Sequence, residues 1–269
     1  MTELKLKPRN DIAALKRLYE QRRRVRIFDL LEHDCAARLH AYLKQQDEWW
    51  HLIHTANGVL ELDRRTRSKM GVRRRAALEA AVIEGARTGF QYRYEGLRVP
   101  DDPNQLLVND DPLTAFACLM SGEPMLNMLR QITGQADIGF SDGQATAYGP
   151  GDFLTGHDDN VEGKDRLAAY VFGLTRIWRP EWGGILMFHE TKDAVVTGHV
   201  PQFNTLDLFA VPQRHSVSMV TPSAPERRYA VTGWLRTVIP RCEAPGVSRR
   251  LQLVRRRSHH EQDDKQVFT

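Results

Sequence analysis

The chain has few cysteines and no long apolar run, and each absence excludes a class of protein. Its 269 residues include three cysteines, Cys35, Cys118 and Cys242, which are widely separated and form no Cys-x-x-Cys pair. Such a set is typical of reduced thiols and does not suit a disulfide framework or a cysteine zinc site. No apolar stretch approaches the ~20 residues needed to cross a bilayer, and the charged first residues do not resemble a secretory signal. We therefore expect a cytoplasmic protein without a membrane anchor.

The order of the remaining patterns predicts a mainly β fold with flanking helices. A hydrophobic content of 41% fits a globular chain with one core. Helical periodicity dominates the first half, and short strands separated by glycine and proline follow from about residue 136. We divide the chain into an N-terminal helical region with a first β hairpin packing on the barrel (1–135), a barrel core (136–240) and a basic polar tail (241–269).

Local patterns place individual elements in the N-terminal region. Apolar residues at helical spacing, capping residues and turn dipeptides mark these elements. The predicted elements are a helix capped by Asn10 or Asp11, a helix from about Glu32, a hairpin of 49–53 and 59–62 around Asn57-Gly58, a helix over 69–86, and a helix over 113–130 interrupted at Gly122 and Pro124. We expect the helices to pack on the barrel.

Four polar residues in the barrel region form an ordered set. In an extended strand His157 and Asp159 point to the same face, so an imidazole and a carboxylate can meet at one point. His215 follows 56 positions after Asp159, far enough for another edge of the barrel to return there. Two histidines and one carboxylate leave one face of an ion open, as in non-haem iron sites. Arg228 follows 13 positions later and can hold a carboxylate of a dicarboxylic cosubstrate with two parallel hydrogen bonds.

Two alternatives stay open for this set. Asp159 can instead cap a turn with Asn160, and Asp158 becomes the ligand if the strand is bulged. Arg227 and Arg228 face opposite sides of a strand, so one of them enters the barrel. Arg228 is favoured because a small residue then follows it on the same face. The inward face would consist of Arg228, Ala230, Thr232 and Trp234.

The segment from Gly143 to Pro240 resembles the prolyl 4-hydroxylase-like branch of the 2-oxoglutarate/Fe(II) dioxygenases. The residues that carry the resemblance are Ala147–Gly151, His157–Asn160, Trp182–Leu186, His215 and Arg228–Trp234. The resemblance implies a double-stranded β-helix (jelly roll) with buttressing N-terminal helices. It implies that Fe(II) and the cosubstrate 2-oxoglutarate bind there, with ascorbate (vitamin C) as an optional reductant. The implied reaction hydroxylates a C–H bond, most simply of a prolyl residue in a protein, and gives succinate and CO2.

The resemblance also implies roles for single residues. His157, Asp159 and His215 would be the metal ligands, and Arg228 would bind the far carboxylate of 2-oxoglutarate. Further residues are assigned to the cosubstrate and the substrate. Tyr148 and Thr232 would contact the cosubstrate, and Arg166 and Trp234 would contact the substrate. Two of these assignments have structural alternatives, since Tyr148 can simply close a strand and Arg166 can form a surface ion pair.

The sequence departs from the family pattern at one cosubstrate position. Prolyl hydroxylases of this branch carry a second tyrosine on the strand after the metal motif, but Gly173 occupies that position here and Tyr170 is out of phase. The other histidines lack a carboxylate two residues on in a comparable strand. We expect surface or structural roles for His33, His40, His51, His54, His189, His199, His259 and His260.

Positive charge is clustered along a chain with a net charge of +4 and a sequence pI near 9.0. The clusters are Arg22–Arg24, Arg64–Arg67, Arg73–Arg75 and Arg255–Arg257. Solvated helix faces and a polar tail explain them most simply. They also suit a surface for a polyanionic partner, such as an RNA-associated or translational particle, in addition to the protein substrate.

Three other functions remain compatible with the sequence. The first is a hydroxylase of a free amino acid or another small metabolite. The second is a nucleic-acid demethylase of the same superfamily, which usually carries a second arginine downstream in the clamp strand; Arg236 is the nearby candidate. The third is a non-catalytic, cupin-like module that binds a metal for structure or sensing.

Overall fold

The structure is a computed structural model in which residues 3–99, 110–190 and 195–237 are described. The predicted tail 241–269, with Cys242 and Arg255–Arg257, lies outside the described residues. The other two cysteines are free thiols, with Cys35 buried and Cys118 exposed. Within the described ranges, no helix combines the length and the apolar character of a membrane span.

Helices occur mainly before residue 134, and strands dominate after residue 140. The helices of the described residues are α1 (Ile12–Arg22), α2 (His33–Gln45), α3 (Arg64–Ser68), α4 (Val72–Thr88), α5 (Pro112–Met120) and α6 (Glu123–Thr133). The strands are β1 (Arg24–Phe28), β2 (Trp50–Thr55), β3 (Gly58–Asp63), β4 (Tyr92–Arg98), β5 (Phe140–Ser141), β6 (Gln144–Tyr148), β7 (Phe153–His157), β8 (Arg166–Gly173), β9 (Leu186–His189), β10 (Val196–His199), β11 (Thr205–Ala210), β12 (His215–Val217) and β13 (Arg228–Arg236).

Most local predictions agree with these elements. The helices after Asp11 and Glu32, the hairpin around Asn57-Gly58 and the break at Gly122 are all present. The start of the helix predicted over 69–86 is wrong. A short helix, α3, ends at Ser68, and the long helix α4 begins only at Val72. Gly71 has an extended backbone, with φ −65° and ψ 156°, which separates the two helices.

The strands form one antiparallel sheet. Among the described residues its order is β1-β11-β8-β13-β6-β4-β7-β12-β9-β10, with the β2–β3 hairpin attached through β4 and with β5 on β13. The sheet curls into a double-stranded β-helix with helices packed on one side, so the expected fold class is confirmed.

Strands from the first 135 residues are part of this sheet rather than an addition to it. β1 pairs with β11, and β4 lies between β6 and β7. The sequence pattern does not indicate β1, because its arginines look like a solvated charge cluster. In the structure Arg24 donates to Glu190 at 2.6 Å, and Arg26 donates to Asp207 at 2.7 Å. These ion pairs make a charged strand compatible with burial.

Side-chain alternation along β13 separates two apolar cores. Tyr229 and Val231 belong to the larger core, which the helices share with the outer face of the sheet. Ala230 belongs to a smaller core inside the barrel. Phe116 of α5 stacks on Phe172 of β8 with ring centroids 4.8 Å apart, which joins the helical layer to the sheet. The outer core therefore holds the barrel rigid, while the inner face remains available for polar residues.

Candidate active site

Two histidines meet inside the barrel because their strands are neighbours. β7 and β12 run antiparallel, and His157 lies directly opposite His215 in their register. Their ring centroids are 4.1 Å apart. Asp159 follows the end of β7 in a left-handed conformation, with φ 62°. The extended-strand argument for Asp159 is therefore wrong in its mechanism, since a turn and not a strand brings the carboxylate to the histidines.

The donor atoms of these three residues converge on one point. Nε2 of His157 and Nε2 of His215 each lie 3.5 Å from an Asp159 carboxylate oxygen. A ligand atom from each residue lies within 4.8 Å of the other two. Asp158 is exposed, and its carboxylate accepts from the Asn160 amide at 3.1 Å. The geometry favours Asp159 as the ligand and assigns the local turn capping to Asp158.

Hydrogen bonds to the far ring nitrogens suit both histidines for metal binding. Nδ1 of His157 lies 3.0 Å from the Thr155 carbonyl oxygen, and Nδ1 of His215 lies 2.7 Å from the Gln213 carbonyl oxygen. A proton on Nδ1 can donate to each carbonyl, which leaves the Nε2 lone pair for a metal. The donor set of two imidazoles and one carboxylate therefore fits Fe(II) with an open face.

Burial and neighbouring charges set the protonation states expected for such a site. Burial, then the positive charge of His157, lowers the pKa of His215 to about 4. Burial by itself would raise the pKa of Asp159, but the hydrogen bond from His157 and the charge of His215 outweigh it and lower that pKa. At neutral pH the site therefore presents a neutral imidazole at His215 and a carboxylate at Asp159, the forms that bind metals.

Arg166 and Trp234 support the turn that carries Asp159. The Arg166 guanidinium donates to the Asp159 carbonyl oxygen at 3.0 Å. Its central carbon lies 3.6 Å from the centroid of a Trp234 ring, a cation–π distance. Both residues line the cavity, at the positions where the resemblance implies substrate contact. The structure thus brings these two predicted substrate residues next to the metal ligands.

Arg228 lies deeper in the same cavity and lacks a carboxylate hydrogen-bond partner among the described residues. It is 4% exposed, and its Nε has no hydrogen-bond partner. Its guanidinium lies 5.1 Å from the centroid of the Tyr148 ring. Burial lowers the pKa of Arg228, although nearby Tyr148 and Asp207 oppose the shift. A buried cation of this kind fits a ligand carboxylate, which would supply the missing charge and acceptors.

The neighbouring residues explain why Arg228 and not Arg227 enters the barrel. Arg227 points to the outer face, where it lies 3.0 Å from the carboxylate of Glu95. Gly184 has φ 63°, and a Cβ there would lie 3.1 Å from Cδ of Arg228. The glycine therefore provides both a left-handed backbone and the space that Arg228 occupies.

The other predicted cosubstrate residues line this cavity too. Tyr148 is buried beside Tyr94, with ring centroids 5.1 Å apart, and burial raises its pKa so that its phenol stays neutral. Thr232 lines the cavity on the inner face of β13. Tyr170 packs in the outer core and also borders the cavity, and its hydroxyl donates to the Asp142 carbonyl oxygen at 3.0 Å.

The sequence motifs do not indicate the buried charge network that lies beside Arg228. Asp207 accepts two hydrogen bonds of 2.7 Å from Arg26, and it lies 2.8 Å from Nδ1 of His199. A small cavity of about 10 Å³ is lined by these three residues, Arg228 and Gly173. This network lies beside Gly173, where the family pattern has a tyrosine. One sequence signal was available, namely a single carboxylate within the otherwise apolar strand Thr205–Ala210.

Comparisons with known proteins agree with this geometry. Residues 143–236 match the family model of the 2OG-Fe(II) oxygenase superfamily. No curated protein matches the chain. A Pseudomonas putida prolyl-4-hydroxylase is 18% identical with a TM-score of 0.54, over 84% of this chain and 99% of that one. A Trichoplax adhaerens prolyl hydroxylase, in complex with a hypoxia inducible factor peptide fragment, is 16% identical with a TM-score of 0.56, over 84% and 92%. A Burkholderia pseudomallei oxidoreductase of the 2OG-Fe(II) oxygenase family is 13% identical with a TM-score of 0.56, over 88% and 96%.

The matched segment contains the metal triad, Tyr148 and Arg228. The chain therefore carries a 2OG-Fe(II) oxygenase domain with a prolyl 4-hydroxylase-like fold, and the protein is a 2-oxoglutarate-dependent dioxygenase. Its cofactor is Fe(II), and its cosubstrate is 2-oxoglutarate. The non-catalytic, cupin-like alternative is thereby set aside.

Replacing any metal ligand should abolish metal binding without unfolding the barrel. We expect His157→Ala, Asp159→Ala and His215→Ala to bind no stoichiometric Fe(II), because two remaining ligands hold the ion weakly. Circular dichroism should remain close to that of the parent protein. The control Asp158→Ala should bind one Fe(II) per chain; loss of iron in this variant and not in Asp159→Ala would reverse the ligand assignment.

Replacing Arg228 should weaken 2-oxoglutarate binding selectively. Hydrogen bonds to a charged group contribute about 1.5–3 kcal/mol, so Arg228→Met should raise the KM for 2-oxoglutarate by roughly 10- to 100-fold. The exposed Arg176 provides a matched control, and Arg176→Met should leave this KM unchanged. An equal rise in both variants would show that net charge, and not a specific clamp, is responsible.

Asp207 should stabilise the half-buried Arg26, with which it pairs, and the nearby buried Arg228. Removing one member of a buried ion pair costs about 3–5 kcal/mol, so Asp207→Asn should lower the free energy of unfolding by that order. The added Tm shift from 2-oxoglutarate with Mn(II) should be larger in this variant, because the ligand then supplies an anion to Arg228, which has lost the nearby charge of Asp207. Asp137→Asn, at an exposed position, is the control. A smaller ligand-induced shift in Asp207→Asn than in the parent would contradict this role.

Proposed function

We propose that the protein hydroxylates a prolyl residue within a polypeptide. The observation that carries this proposal is an aromatic wall that runs from the exposed Phe90, beside His157, inward to the buried Tyr148. Phe90 lies 5.5 Å from His157 by ring centroids, and Tyr92 follows at 5.6 Å from Phe90. Tyr94 continues the row at 5.4 Å from Tyr92 and stacks on Tyr148. Residues 90, 92 and 94 alternate along β4 and the chain just before it, so their rings share one face, which none of the sequence motifs indicates.

The chemical character of this wall suits an uncharged, partly apolar group. The cavity has a volume of about 410 Å³ and is lined by aromatic and aliphatic side chains around the polar triad. Burial raises the pKa of Tyr94 to about 12, so its phenol is neutral at physiological pH. A pyrrolidine ring can pack against such faces without leaving a charge buried. Phe90 is 43% exposed at one end of the row, where a longer chain can continue past the cavity.

Two solved structures of similar fold support a protein substrate. One is a prolyl-4-hydroxylase, and the other is a prolyl hydroxylase in complex with a peptide fragment. In this chain Arg166 is already held by Trp234 and by the Asp159 backbone. It therefore shapes the mouth and offers little free charge for the carboxylate of a free amino acid. The candidate for a demethylase arginine, Arg236, is likewise engaged, since it donates to the Lys164 carbonyl oxygen at 2.9 Å.

The roles of the protein groups follow from their positions. With dioxygen as the oxidant, bound Fe(II) and 2-oxoglutarate would supply oxidative chemistry that places one oxygen atom in succinate and the other in a hydroxyl group on the substrate, with release of CO2. Arg228 would pair with the far carboxylate of 2-oxoglutarate, and the neutral Tyr148 phenol would donate a hydrogen bond to it. The carbonyls of Thr155 and Gln213 hold the histidine rings in orientation. The aromatic wall would position one carbon and exclude water from it.

The proposed function also implies a cellular compartment and a reductant for the iron. We infer that the protein acts in a reducing compartment such as the cytoplasm, and the free thiols of Cys35 and Cys118 support this. Ascorbate as a reductant rests on the family resemblance.

The substrate class should be visible as stimulated succinate formation. We expect a proline-containing peptide or a size-fractionated extract to raise succinate release and to gain 16 Da, read by mass spectrometry, whereas free L-proline should not. Tyr92→Ala should lower kcat/KM for the peptide by roughly tenfold, since an aromatic contact contributes about 0.5–1.5 kcal/mol beyond its buried area. The KM for 2-oxoglutarate should be unchanged.

Two results would count against a prolyl peptide substrate. Phe28→Ala, an exposed aromatic on β1 outside the cavity, is the matched control and should behave like the parent protein. An equal loss of kcat/KM in this control would show that the aromatic wall does not contribute specifically to peptide binding. Stoichiometric hydroxyproline from free proline, with no response to peptide, would assign the protein to small-metabolite hydroxylases instead.

A further inference from the structure

A second cavity lies on the opposite face of β4 from the active site. Tyr92 and Tyr94 face the candidate active site, whereas Arg93 lines the second cavity. This cavity has a volume of about 610 Å³ and lies between α3, α4 and the outer face of the sheet. Its residues include none of the metal triad or the proposed cosubstrate contacts. Any ligand bound here is therefore separate from the oxygenase chemistry.

Three arginines of the second cavity share one carboxylate. Arg64, Arg67 and Arg227 each place a guanidinium nitrogen 3.0 Å from Glu95, which is fully buried. Each of the three side chains remains about 30% exposed, at 32%, 32% and 29%. A guanidinium has five N–H donors, so a single carboxylate leaves most of these donors available. Glu95 thus anchors the arginines and leaves surplus positive charge at the cavity.

The remaining charged residues do not neutralise this surplus. Arg93 pairs with Glu79 and Asp152, and Arg75 reaches the Met70 carbonyl oxygen at 3.5 Å. The five arginines of the cavity are Arg64, Arg67, Arg75, Arg93 and Arg227, and the carboxylates that line it or pair with these arginines are Asp47, Glu79, Glu95 and Asp152. Within the described residues the cavity therefore carries an excess of one positive charge. His51 adds a polar group, because its Nε2 lies 3.0 Å from Asp152 while its buried Nδ1 has no hydrogen-bond partner.

Exposed cations extend the cavity along α3 and α4. The twelve residues from 64 to 75 contain seven cations and no acidic residue. Arg65, Lys69, Arg73, Arg74 and Arg75 are exposed. This density of charge on a short helical segment matches a partner that carries one negative charge at every repeating unit. An acidic peptide would need an uninterrupted run of carboxylates to match it.

We propose that this cavity binds a phosphate group and that the basic segment 64–75 binds the flanking phosphates of a nucleic acid. Guanidinium groups suit phosphate oxygens because their planar donors form paired hydrogen bonds. The proposal goes beyond the hydroxylation of a polypeptide and does not depend on it. It would give the protein a second contact with a partner that contains RNA or DNA.

The test is fluorescence anisotropy of a labelled 20-nucleotide single strand, as RNA and as DNA, titrated with the full-length, iron-free protein. We expect binding of at least one of the two that weakens as salt increases. The variant Arg73→Gln/Arg74→Gln/Arg75→Gln removes three exposed cations and leaves the contacts of Glu95 in place. It should reduce the slope of log Kd against log salt by about 2, since each contact to a single strand contributes about 0.7.

Matched variants separate this site from a general effect of charge. Lys16→Gln/Arg17→Gln/Arg22→Gln removes three exposed cations of α1 and should leave Kd nearly unchanged. Ser68→Glu places a carboxylate at the cavity and should weaken binding by roughly tenfold, because a like charge repels the phosphate; Ser68→Gln should not. Thermal unfolding of each variant confirms that it is folded.

Three outcomes would overturn the proposal. They are no binding of either strand at low salt, an equal loss in the α1 control, and tighter binding of polyglutamate than of nucleic acid. Because the assay uses iron-free protein, none of these outcomes depends on the hydroxylation reaction. Equally, failure to hydroxylate a peptide would leave the nucleic-acid measurement intact.

Discussion

The antiparallel pairing of β7 with β12 is the constraint on which the site depends. It sets His157 directly opposite His215 and brings together residues that are far apart in the chain. Asp159 completes the triad through a left-handed turn, where Arg166 of β8 bonds the Asp159 carbonyl oxygen and packs on Trp234 of β13. Because these supports are packed strands, the donor atoms are positioned before any metal binds. A shift in this register would separate the ligands.

Alternation along each strand allows one sheet to serve two purposes. Along β13 the outer side chains pack in the helical core, while Arg228 faces the barrel interior. Along β4 the tyrosines face the candidate active site, while Arg93 and Glu95 take part in ion pairs on the other side. The proposed nucleic-acid site therefore lies on the opposite face of the sheet from the oxygenase cavity. The two candidate sites share no lining residue.

Buried charged side chains of the barrel such as Asp207 form ion pairs, whereas Arg228 is only partly paired. Arg26 and His199 surround Asp207, whereas Nε of Arg228 lacks a hydrogen-bond partner. An uncompensated buried cation is unfavourable for folding, and a bound carboxylate would relieve that cost. Gly173 lies beside this network, and a Cβ there would lie 2.2 Å from the Gln202 carbonyl oxygen, so the backbone leaves no room for a side chain at this position.

Local sequence determined several helices and strands and the residue types of the metal site. Tertiary structure decided which of those residues lie close together. Apolar periodicity indicated α1 and α2, and the Asn57-Gly58 turn indicated the hairpin, since these depend on neighbours within a few positions. The motif around His157, with His215 and Arg228, indicated an iron site because its ligand types are specific. The strand β1, the pairing of Arg26 with Asp207 and the three arginines around Glu95 were not predictable in this way. Each joins segments that are distant in sequence, and a charged residue in isolation looks the same whether water or a buried partner solvates it.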